Sequence, residues 1–439
     1  MSFSDKTASI FKRDIFLKIW TIFTGIIIAR ILGSVNMGLW YILLMIPNYA
    51  EPFGRLKMDV ASVYFVRSGK YRLGEVYFNL VMVSLLSSIL ILGLLFWQRN
   101  FILLNIFKGM MDAKSLVYIM FLYIPLNFIT INYSYLFLSR EDIKAFNALA
   151  IIGPLVASIL SLFLLFVLKW GLFSLVISQI VSGFLSIFYG AWKLSQTDRM
   201  VCCLNKGMLK DFFNFGWKLY LGGIFSHLQV YVAGLLVAMY LLPSDVTFFK
   251  MGQDKALLLT SVSGAIGTIL YPLVARNHVD AEHVSAKACR MTILLLSILA
   301  GIGVIIINPM VYFLYGKEFL PQVAPFLIML PGVVLLSGGN VLLQHFMGKG
   351  NPGLILKISL VPLVLQILLC VLLMPIFGLL GAASATSFTY LLTGIITVAI
   401  FSKHTKLRID TIIIPTRQDI ILLNNFIKTQ MLKYIKLKF

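Results

Sequence analysis

Long apolar runs alternate with short polar joints along the whole chain, and the runs are continuous instead of alternating residue by residue. Each run is about 20 residues long, the length with which an α-helix crosses roughly 30 Å of hydrocarbon. Only helices and closed barrels satisfy their backbone hydrogen bonds in lipid, and continuous runs indicate helices. We predict an all-α integral membrane protein with twelve transmembrane helices, near residues 14–33, 36–54, 75–97, 115–138, 145–168, 171–192, 219–241, 246–272, 291–314, 322–344, 354–375 and 379–402.

The positive charge lies on one side of this predicted topology. The chain has 37 Lys and Arg residues, and the odd-numbered loops hold five of them: Arg99, Lys108, Lys114, Lys169 and Lys317. Because cytoplasmic loops collect Lys and Arg, both termini are predicted to face the cytoplasm.

Composition excludes several classes of protein. A hydrophobic content of 59% excludes a soluble protein, and the net charge of +20 sits on loops where it meets anionic lipid, so we expect no nucleic-acid partner. The four cysteines, Cys202, Cys203, Cys289 and Cys370, have spacings that suit neither a metal site nor a disulfide framework. No phosphate-binding loop or nucleophile motif is evident, so we predict no enzyme activity, no metal and no cofactor.

Three landmarks recur at a nearly constant offset of 207 to 209 residues, which indicates a duplicated six-helix unit. Six passes are an even number, so both units enter the membrane in the same orientation. We therefore predict two six-helix bundles around a central cleft, related by a pseudo-two-fold along the membrane normal. The landmark pairs are 33–40 with 242–249, Arg140 with Lys349, and 170–175 with 377–382.

The predicted boundaries follow from this duplication. Residues 1–195 form the N-terminal bundle, 196–218 a polar cytoplasmic linker, and 219–402 the C-terminal bundle. Residues 403–439 form a basic cytoplasmic tail, in which Thr416 and Asp419 have capping-box spacing before a mixed apolar and lysine-rich stretch. This stretch suits a helix on the membrane surface, and a frayed basic tail is the alternative.

Several motifs resemble those of the bacterial polysaccharide biosynthesis (oligosaccharide flippase) family. Ala29-Arg30-Ile31-Leu32-Gly33 with Met37-Gly38-Leu39-Trp40 is similar to the first-helix signature of that family. The other motifs are 315–320 through Pro325 to 330–332, similar to the joint before its tenth helix, 378–386, similar to its last helix, and 271–276, similar to the end of its eighth.

The resemblance implies a fold shared with multidrug and toxic-compound exporters and with lipid II flippases. Twelve helices, instead of fourteen, point to the O-antigen, capsule or exopolysaccharide branch. Its members move undecaprenyl-diphosphate-linked oligosaccharide units from the inner to the outer leaflet of the bacterial plasma (inner) membrane. The implied partners are this lipid-linked oligosaccharide and membrane lipids, with the polysaccharide polymerase and glycosyltransferases of the pathway as expected neighbours.

Ionisable residues within spans are costly and are therefore the first candidates for a site. A flippase needs cationic groups for the diphosphate and polar groups for the sugar, in a cleft that opens to each side in turn. The cationic candidates are Arg30, Lys250, Lys255 and Lys18; Asp254 is the coupling or counter-ion candidate; the polar candidates are His227, Gln229, Asn340 and Gln344.

Other roles stay open for each candidate. Arg30 can anchor the first span near the interface, and Lys18 lies close to the cytoplasmic end. Lys250 is four residues before Asp254 on the same helix face, so the two can pair, whereas Lys255 is rotated about 100° from Asp254. His227 can be a hydrogen-bonded packing residue instead of a titrating one.

The main alternative function is an ion-coupled exporter of drugs or metabolites on the same fold. Such an exporter needs a buried carboxylate to bind the coupling ion. The first predicted span has no carboxylate between Ile15 and Gly33, and the tenth has none between Gln322 and Gln344. A cleft with several lysines and one acid favours an anionic substrate.

Overall fold

A computed structural model describes residues 3–110, 113–196, 201–275, 280–349, 353–419 and 421, and these residues form helices with no strand among them. The helices are α1 (Phe3–Arg55), α2 (Met58–Arg67), α3 (Leu73–Trp97), α4 (Arg99–Phe101), α5 (Ala113–Ser139), α6 (Ile143–Phe163), α7 (Leu172–Ser195), α8 (Lys206–Tyr240), α9 (Pro243–Leu257), α10 (Thr260–Ala275), α11 (Ala281–Leu314), α12 (Val323–Gly348), α13 (Gly353–Thr405) and α14 (Ile409–Ile413). Two π-helical turns (Ile102–Ile106 and Leu164–Leu168) and a 3₁₀ turn (Lys317–Gln322) join them. We call α1–α7 the N-terminal half and α8–α14 the C-terminal half.

Nine helices in the described part of the chain are long and apolar enough to cross a membrane. Two of them, Ser9–Arg55 and Leu356–Thr405, have 47 and 50 residues, whereas one crossing takes about 20. Each is interrupted once by a glycine in the left-handed region, Gly33 (φ 73°) and Gly378 (φ 55°), where a side chain would be strained. The described residues are all-helical, the chain is a multi-pass membrane protein, and the number of twelve spans stays a prediction.

The landmark glycines Gly171 and Gly378 have the same backbone conformation. Gly171 precedes α7 with φ 56° and ψ −133°, and Gly378 interrupts α13 with φ 55° and ψ −131°. They lie 207 residues apart, at the third pair of the predicted repeat. Local geometry thus agrees with the repeat at this position, while the symmetry of two whole bundles stays a prediction.

The predicted eighth span, 246–272, consists of two helices with a break between α9 and α10. At the break, the Thr260 hydroxyl donates to the carbonyl of Leu257 (2.6 Å) and thereby competes with the backbone. The backbone N–H groups of Leu259 and Ser261 bond to carbonyls three residues earlier, as in a 3₁₀ turn, instead of four residues earlier. The predicted linker, 196–218, is helical from Lys206 onward because α8 begins there.

Helix α1 connects the two halves. It packs on α5 and α6 within its own half and on α8 and α9 across the interface. At the tightest crossing, a Cβ atom on Gly38 would lie 1.7 Å from the carbonyl oxygen of Pro243. Only glycine lets the two backbones approach so closely, as in other membrane helix pairs.

Side chains of the C-terminal half form hydrogen bonds with the backbone groups exposed at the break in α1. The backbone N–H of Ser34, just after Gly33, donates to Oε1 of Glu318 (2.6 Å). The Thr247 hydroxyl of α9 donates to the Ser34 carbonyl (2.6 Å). The carboxylate thus caps the N-terminus of the second segment of α1, where unpaired N–H groups and the helix dipole favour negative charge.

Arg30 makes the reciprocal contact at the same end of the molecule, which we call the Gly33 end. Its Nε donates to the carbonyl of Leu314 (2.7 Å), and Nη2 donates to that of Phe313. These are among the last carbonyls of α11, which have no partner within their own helix. Each half therefore supplies the charge that caps a helix of the other half.

At the opposite end, called the Arg55 end, His227 replaces a missing backbone donor. Pro52 has no N–H, so the helix of α1 cannot satisfy the carbonyl of Asn48 four residues earlier. Nε2 of His227 in α8 lies 2.9 Å from that oxygen and donates to it. In addition, Nζ of Lys18 donates to the hydroxyl of Ser261 in α10 (2.6 Å).

A salt bridge joins the loop after α2 to the start of α8 at the Arg55 end. The Asp211 carboxylate accepts hydrogen bonds from Nζ of Lys70 (2.5 Å) and the hydroxyl of Tyr71 (2.6 Å). These hydrogen bonds lower the pKa of Asp211 and raise that of Lys70. The pair is solvent-exposed, so it contributes little to stability.

The described part of the tail is tied to α11. Asp419 is buried and accepts from Nε of Arg290 (2.5 Å), and its carboxylate also accepts from the backbone N–H of Thr416 (2.9 Å). The Asp419 N–H donates to the Thr416 hydroxyl, which completes the capping box expected from the sequence. Residues 422–439, which carry most of the predicted surface helix, lie outside the described residues.

The contact between His227 and Asn48 leads to a test by double mutation. We expect His227→Phe to lower the free energy of unfolding by about 1–3 kcal/mol, because it leaves a half-buried carbonyl unpaired. In a Pro52→Ala background the new Ala N–H can bond to Asn48, so the same substitution should cost much less. Thermal unfolding of the four purified proteins measures both costs. Equal costs in the two backgrounds would contradict this role for His227.

The Asp419 tether can be tested by proteolysis. Asp419→Asn should speed tryptic cleavage at Arg417 by about tenfold or more, because charge-assisted hydrogen bonds of about 1.5–3 kcal/mol are lost. Asp410→Asn is the matched control, because it removes only an exposed pair with Arg408. Cleavage at Arg417 at the wild-type rate in Asp419→Asn would show that the tether does not hold the tail.

The same tether has a defined pH dependence. Burial raises the pKa of Asp419, but hydrogen bonds from Arg290 and Thr416 outweigh it and lower the pKa from 3.8 to about 2. A depressed pKa in the folded protein contributes stability that is present above pH 3.8 and is lost as the pH falls toward 2. Hydrogen exchange of the 409–419 segment should therefore be unchanged between pH 7 and pH 5, apart from its intrinsic pH dependence.

Candidate functional site

A cluster of charged and polar residues lies on α9, the helix that crosses α1 at Gly38. We call Lys250, Gln253, Asp254 and Lys255 the Lys250 cluster. Lys250 is buried, and its Nζ donates to Oε1 of Gln253 (2.9 Å) and lies 3.3 Å from Oδ1 of Asp254. The same ammonium group is 5.4 Å from the centre of the Tyr231 ring, within cation–π range. The spacing of four residues therefore places the expected ion pair on one face of α9.

Lys255 points in another direction, toward the start of α12. Its Nζ donates to Oε1 of Gln322 (2.5 Å) and to the Met251 carbonyl (3.3 Å), and lies 4.4 Å from the centre of the Tyr315 ring. Gln322 is fully buried, and its Nε2 has no hydrogen-bond partner among the described residues. Lys255 is thus held by neutral groups instead of an acid, and its charge is not compensated by a direct partner.

Asp254 is the one acid in the Lys250 cluster, which therefore carries a net positive charge. Its side chain is 53% exposed. It lies on α9, which packs against α1 of the N-terminal half, so this acid is at the interface between the halves.

Gln253 fixes the position of α9 against α8 and α13. It is fully buried, and its Nε2 donates to the Val230 carbonyl (3.2 Å) and the Tyr390 hydroxyl (3.1 Å). Its oxygen accepts from Lys250, so every polar atom of this amide is bonded. The cluster is thereby attached to α8 and α13, and the position of the Lys250 ammonium group is set before any ligand arrives.

The structure does not bring all predicted site residues together. Arg30, Lys18 and His227 contact the opposite half at the two ends of the interface, as described above. Gln229 is buried within the C-terminal half and donates to the Thr393 hydroxyl (2.8 Å). These four residues hold helices together and do not belong to the Lys250 cluster.

Two further polar candidates lie on α12. Asn340 is half-buried there, and Gln344 packs against α10, where a Cβ atom on Gly267 would meet Gln344 Cγ at 2.7 Å. The sequence places Asn340 and Gln344 on one helix but does not indicate which neighbouring helix each of them contacts. Among the described residues, no group of three or more His, Cys, Asp or Glu side chains is placed to hold a metal ion.

A polar cavity in the N-terminal half escaped the sequence analysis. It has a volume of about 420 Å³ and lies between α1, α5, α6 and α7. Hydroxyl groups, one amide and two large aromatic rings line it, and its lining includes no charged side chain. Its polar and aromatic lining residues are Thr21, Thr24, Trp40, Tyr123, Thr130, Ser134, Ser158, Ser161, Gln179, Ser182 and Ser186. We call it the hydroxyl cavity.

A sequence signal for this cavity exists in retrospect. Serines recur every four residues along α7, at 174, 178, 182 and 186, and form one polar stripe on a helix. The hydroxyls of Thr130 and Ser158 donate to carbonyls one turn earlier. The Ser158 oxygen also accepts from Nε1 of Trp20 (2.6 Å), whereas the Thr130 oxygen keeps its acceptor capacity. This lining suits a neutral ligand rich in hydroxyl groups.

Comparison with known structures shows the fold. The chain is similar to an inward-facing multidrug resistance MATE family transporter of the MOP superfamily (TM-score 0.72, 13% identity, 89% of this chain and 94% of that one). It is also similar to the lipid II flippase MurJ in an inward closed conformation (TM-score 0.70, 16% identity, 91% and 89%). An outward-facing MATE family transporter of the same superfamily is less similar (TM-score 0.59, 13% identity, 91% and 93%). No curated protein matches the sequence.

These neighbours are transporters and flippases and not catalytic enzymes, and the chain shares their fold. The family described as polysaccharide biosynthesis protein matches residues 27–324, which include α1 from residue 27 onward, the Lys250 cluster and the first two residues of α12. This chain of membrane helices, with its cationic cluster between two halves, belongs to the polysaccharide biosynthesis protein family.

Proposed function

We propose that this protein is a flippase for undecaprenyl-diphosphate-linked oligosaccharide units of an O-antigen, capsule or exopolysaccharide. It carries them from the inner to the outer leaflet of the bacterial inner membrane by alternating access. The Lys250 cluster is the observation that carries the proposal. Two ammonium groups with one half-exposed acid, on the helix that packs against α1, attract an anionic headgroup, and a diphosphate is the anion of this substrate class.

The hydroxyl cavity supports the proposal from the side of the sugar. Oligosaccharides present many hydroxyl groups, which need acceptors and donors inside the membrane. An uncharged lining of Ser, Thr and Gln supplies them, and Trp40 and Tyr123 offer ring faces on which a sugar can pack. A cationic drug would instead require acidic groups, and this cavity has none in its lining.

The proposed topology has twelve passes. The two longest helices, α1 and α13, each count as two passes because a glycine interrupts them, and α9 with α10 counts as one. With both termini in the cytoplasm, the Gly33 end faces outward and the Arg55 end faces inward. Contacts of Arg30, Glu318 and Gly38 across the halves close the Gly33 end, which agrees with the higher similarity to inward-facing than to outward-facing transporters.

Deletion of the gene in its native host tests the proposal. Undecaprenyl-diphosphate oligosaccharide should accumulate on the cytoplasmic side, and the surface polysaccharide should disappear. Unchanged polysaccharide together with new sensitivity to cationic drugs would instead establish an ion-coupled exporter. Reduced amounts of the lipid-linked precursor itself would point to a role in synthesis and would also contradict the proposal.

Substitutions in the Lys250 cluster test the proposed site in complemented cells. Lys250→Ala and Lys255→Ala should each lower surface polysaccharide formation by about tenfold or more, because each removes a charge-assisted contact worth about 1.5–3 kcal/mol. Lys255→Arg should retain most activity because it keeps the charge. The control is Lys144→Ala, an exposed lysine on α6. Full activity of both Ala variants at normal protein levels would exclude the cluster as the site.

A further inference from the structure

An apolar groove lies beside the Lys250 cluster. It has a volume of about 420 Å³ and is bounded by the second segment of α1, α3, the π-helical turn Ile102–Ile106 and α8. Aliphatic and aromatic side chains line it, and both halves contribute to it because Leu235 of α8 forms part of the wall. Among its lining residues are Ile46, Phe53, Leu94, Leu95 and Ile106.

One glycine separates this groove from the Lys250 ammonium group. A Cβ atom on Gly234 of α8 would lie 2.9 Å from Cε of Met45, which lines the groove, and 3.4 Å from Cδ of Lys250. The apolar wall and the stem of the buried lysine thus meet at the same point of α8. A ligand with an anionic head and an apolar chain can contact both at once.

A buried hydroxyl without an acceptor marks the junction. Tyr49 lines the groove, and its hydroxyl has no hydrogen-bond partner among the described residues that meets normal geometry. The backbone N–H of Leu235 approaches it, but that group is itself a donor, so the hydroxyl proton still lacks an acceptor. The Tyr49 ring lies 6.1 Å from that of Tyr231, over which Lys250 is placed.

We infer that this groove binds the isoprene units next to the diphosphate of a polyisoprenyl-diphosphate substrate, and that the Tyr49 hydroxyl donates to a phosphate oxygen. The inference rests on the proposed function and adds to it the site of the lipid chain. The order along the protein, from apolar groove to Tyr49 to Tyr231 and Lys250, matches the order of groups in such an amphiphile. The ligand also supplies the acceptor that a buried hydroxyl requires.

The groove directs the chain and adds little affinity. Lipid tails are as apolar as leucine, so moving an isoprenoid chain from the bilayer into the groove gains packing but no hydrophobic driving force. The diphosphate supplies the affinity, and the groove determines where the chain leaves the interface between the halves. Its signature is therefore the position of the chain, which a photocrosslinking probe reports.

The test uses the full-length protein in nanodiscs of phosphatidylethanolamine and phosphatidylglycerol. The probe is a polyisoprenyl diphosphate with a diazirine on the isoprene unit nearest the diphosphate. We expect crosslinks in peptides that contain 42–53, 91–95 or 102–106. An excess of unlabelled polyisoprenyl diphosphate should remove these crosslinks, whereas phosphatidic acid should not. Equal competition by phosphatidic acid would mean that ordinary lipid chains fill the groove, which would overturn the inference.

Matched tryptophan variants on α3 locate the chain. Leu94 lines the groove and is 58% exposed, so Leu94→Trp fills space without disturbing the core. Ile89, which is 64% exposed and outside the groove, provides the control Ile89→Trp. We expect Leu94→Trp to reduce the groove crosslinks by about tenfold and Ile89→Trp to leave them unchanged. Phe53→Trp is a second filling variant, and the melting temperature of each protein verifies its folding.

The outcomes separate this inference from the proposed function. If Lys250→Ala abolishes probe labelling but no crosslinks fall in the groove, the flippase proposal stands and the groove inference fails. If the wild-type protein is not labelled at all, or if Lys250→Ala leaves labelling unchanged, the proposed diphosphate site fails as well. Tyr49→Phe should keep the crosslink positions and weaken probe binding; unchanged binding would remove Tyr49 from the site.

Discussion

A hydrocarbon bilayer offers no partners to backbone N–H and C=O groups, and the interface between the two halves depends on this constraint. Helix α1 is broken at Gly33 and loses a backbone bond at Pro52. In both places a side chain of the other half completes the bonding, Glu318 at Ser34 and His227 at Asn48. The breaks therefore attach the halves to each other, because neither half satisfies its backbone alone.

The same constraint distinguishes two groups of charged residues in this structure. Arg30 and Glu318 each have backbone partners at a helix end, so their charges are used in capping. Lys250, Lys255 and Asp254 have side-chain and ring partners instead, and together they leave one positive charge on α9, at the interface between the halves. A buried net charge is costly, and an anionic ligand bound beside the cluster lowers that cost.

Alternating access requires the contacts at one end of the interface to break while those at the other end form. The Gly33 end is closed by charge-assisted hydrogen bonds and by the close approach of Gly38 to Pro243. Opening the Gly33 end leaves unpaired backbone groups at once in two helices, the Ser34 N–H of α1 and the last carbonyls of α11. A ligand can shift this equilibrium only through stronger contacts in the open state, and water entering the outer end must replace the caps. At the Arg55 end, the contacts across the halves are those of Lys18 with Ser261, of His227 with the Asn48 carbonyl, and of Lys70 and Tyr71 with Asp211.

The sequence predicted the helical membrane architecture and the pairing of Lys250 with Asp254, because both follow from local periodicity. It could not indicate that Arg30 contacts Leu314 or that Lys255 contacts Gln322, since residues 284 and 67 positions apart meet only through tertiary packing. For the same reason, Gln229 and Gln344 carry polar groups that suit a cleft but lie within one half. The hydroxyl cavity was missed because its small side chains are ordinary in membrane helices.

Translocation in reconstituted vesicles measures the central claim most directly. Purified protein would be inserted into liposomes that contain an undecaprenyl-diphosphate oligosaccharide with a fluorescent sugar, and a membrane-impermeant quencher would report the leaflet that holds it. The account predicts that quenching rises from about half to nearly all of the signal at a rate set by the protein, and that Lys250→Ala slows this rate. Unchanged quenching, together with uptake of a cationic drug under an ion gradient, would contradict it.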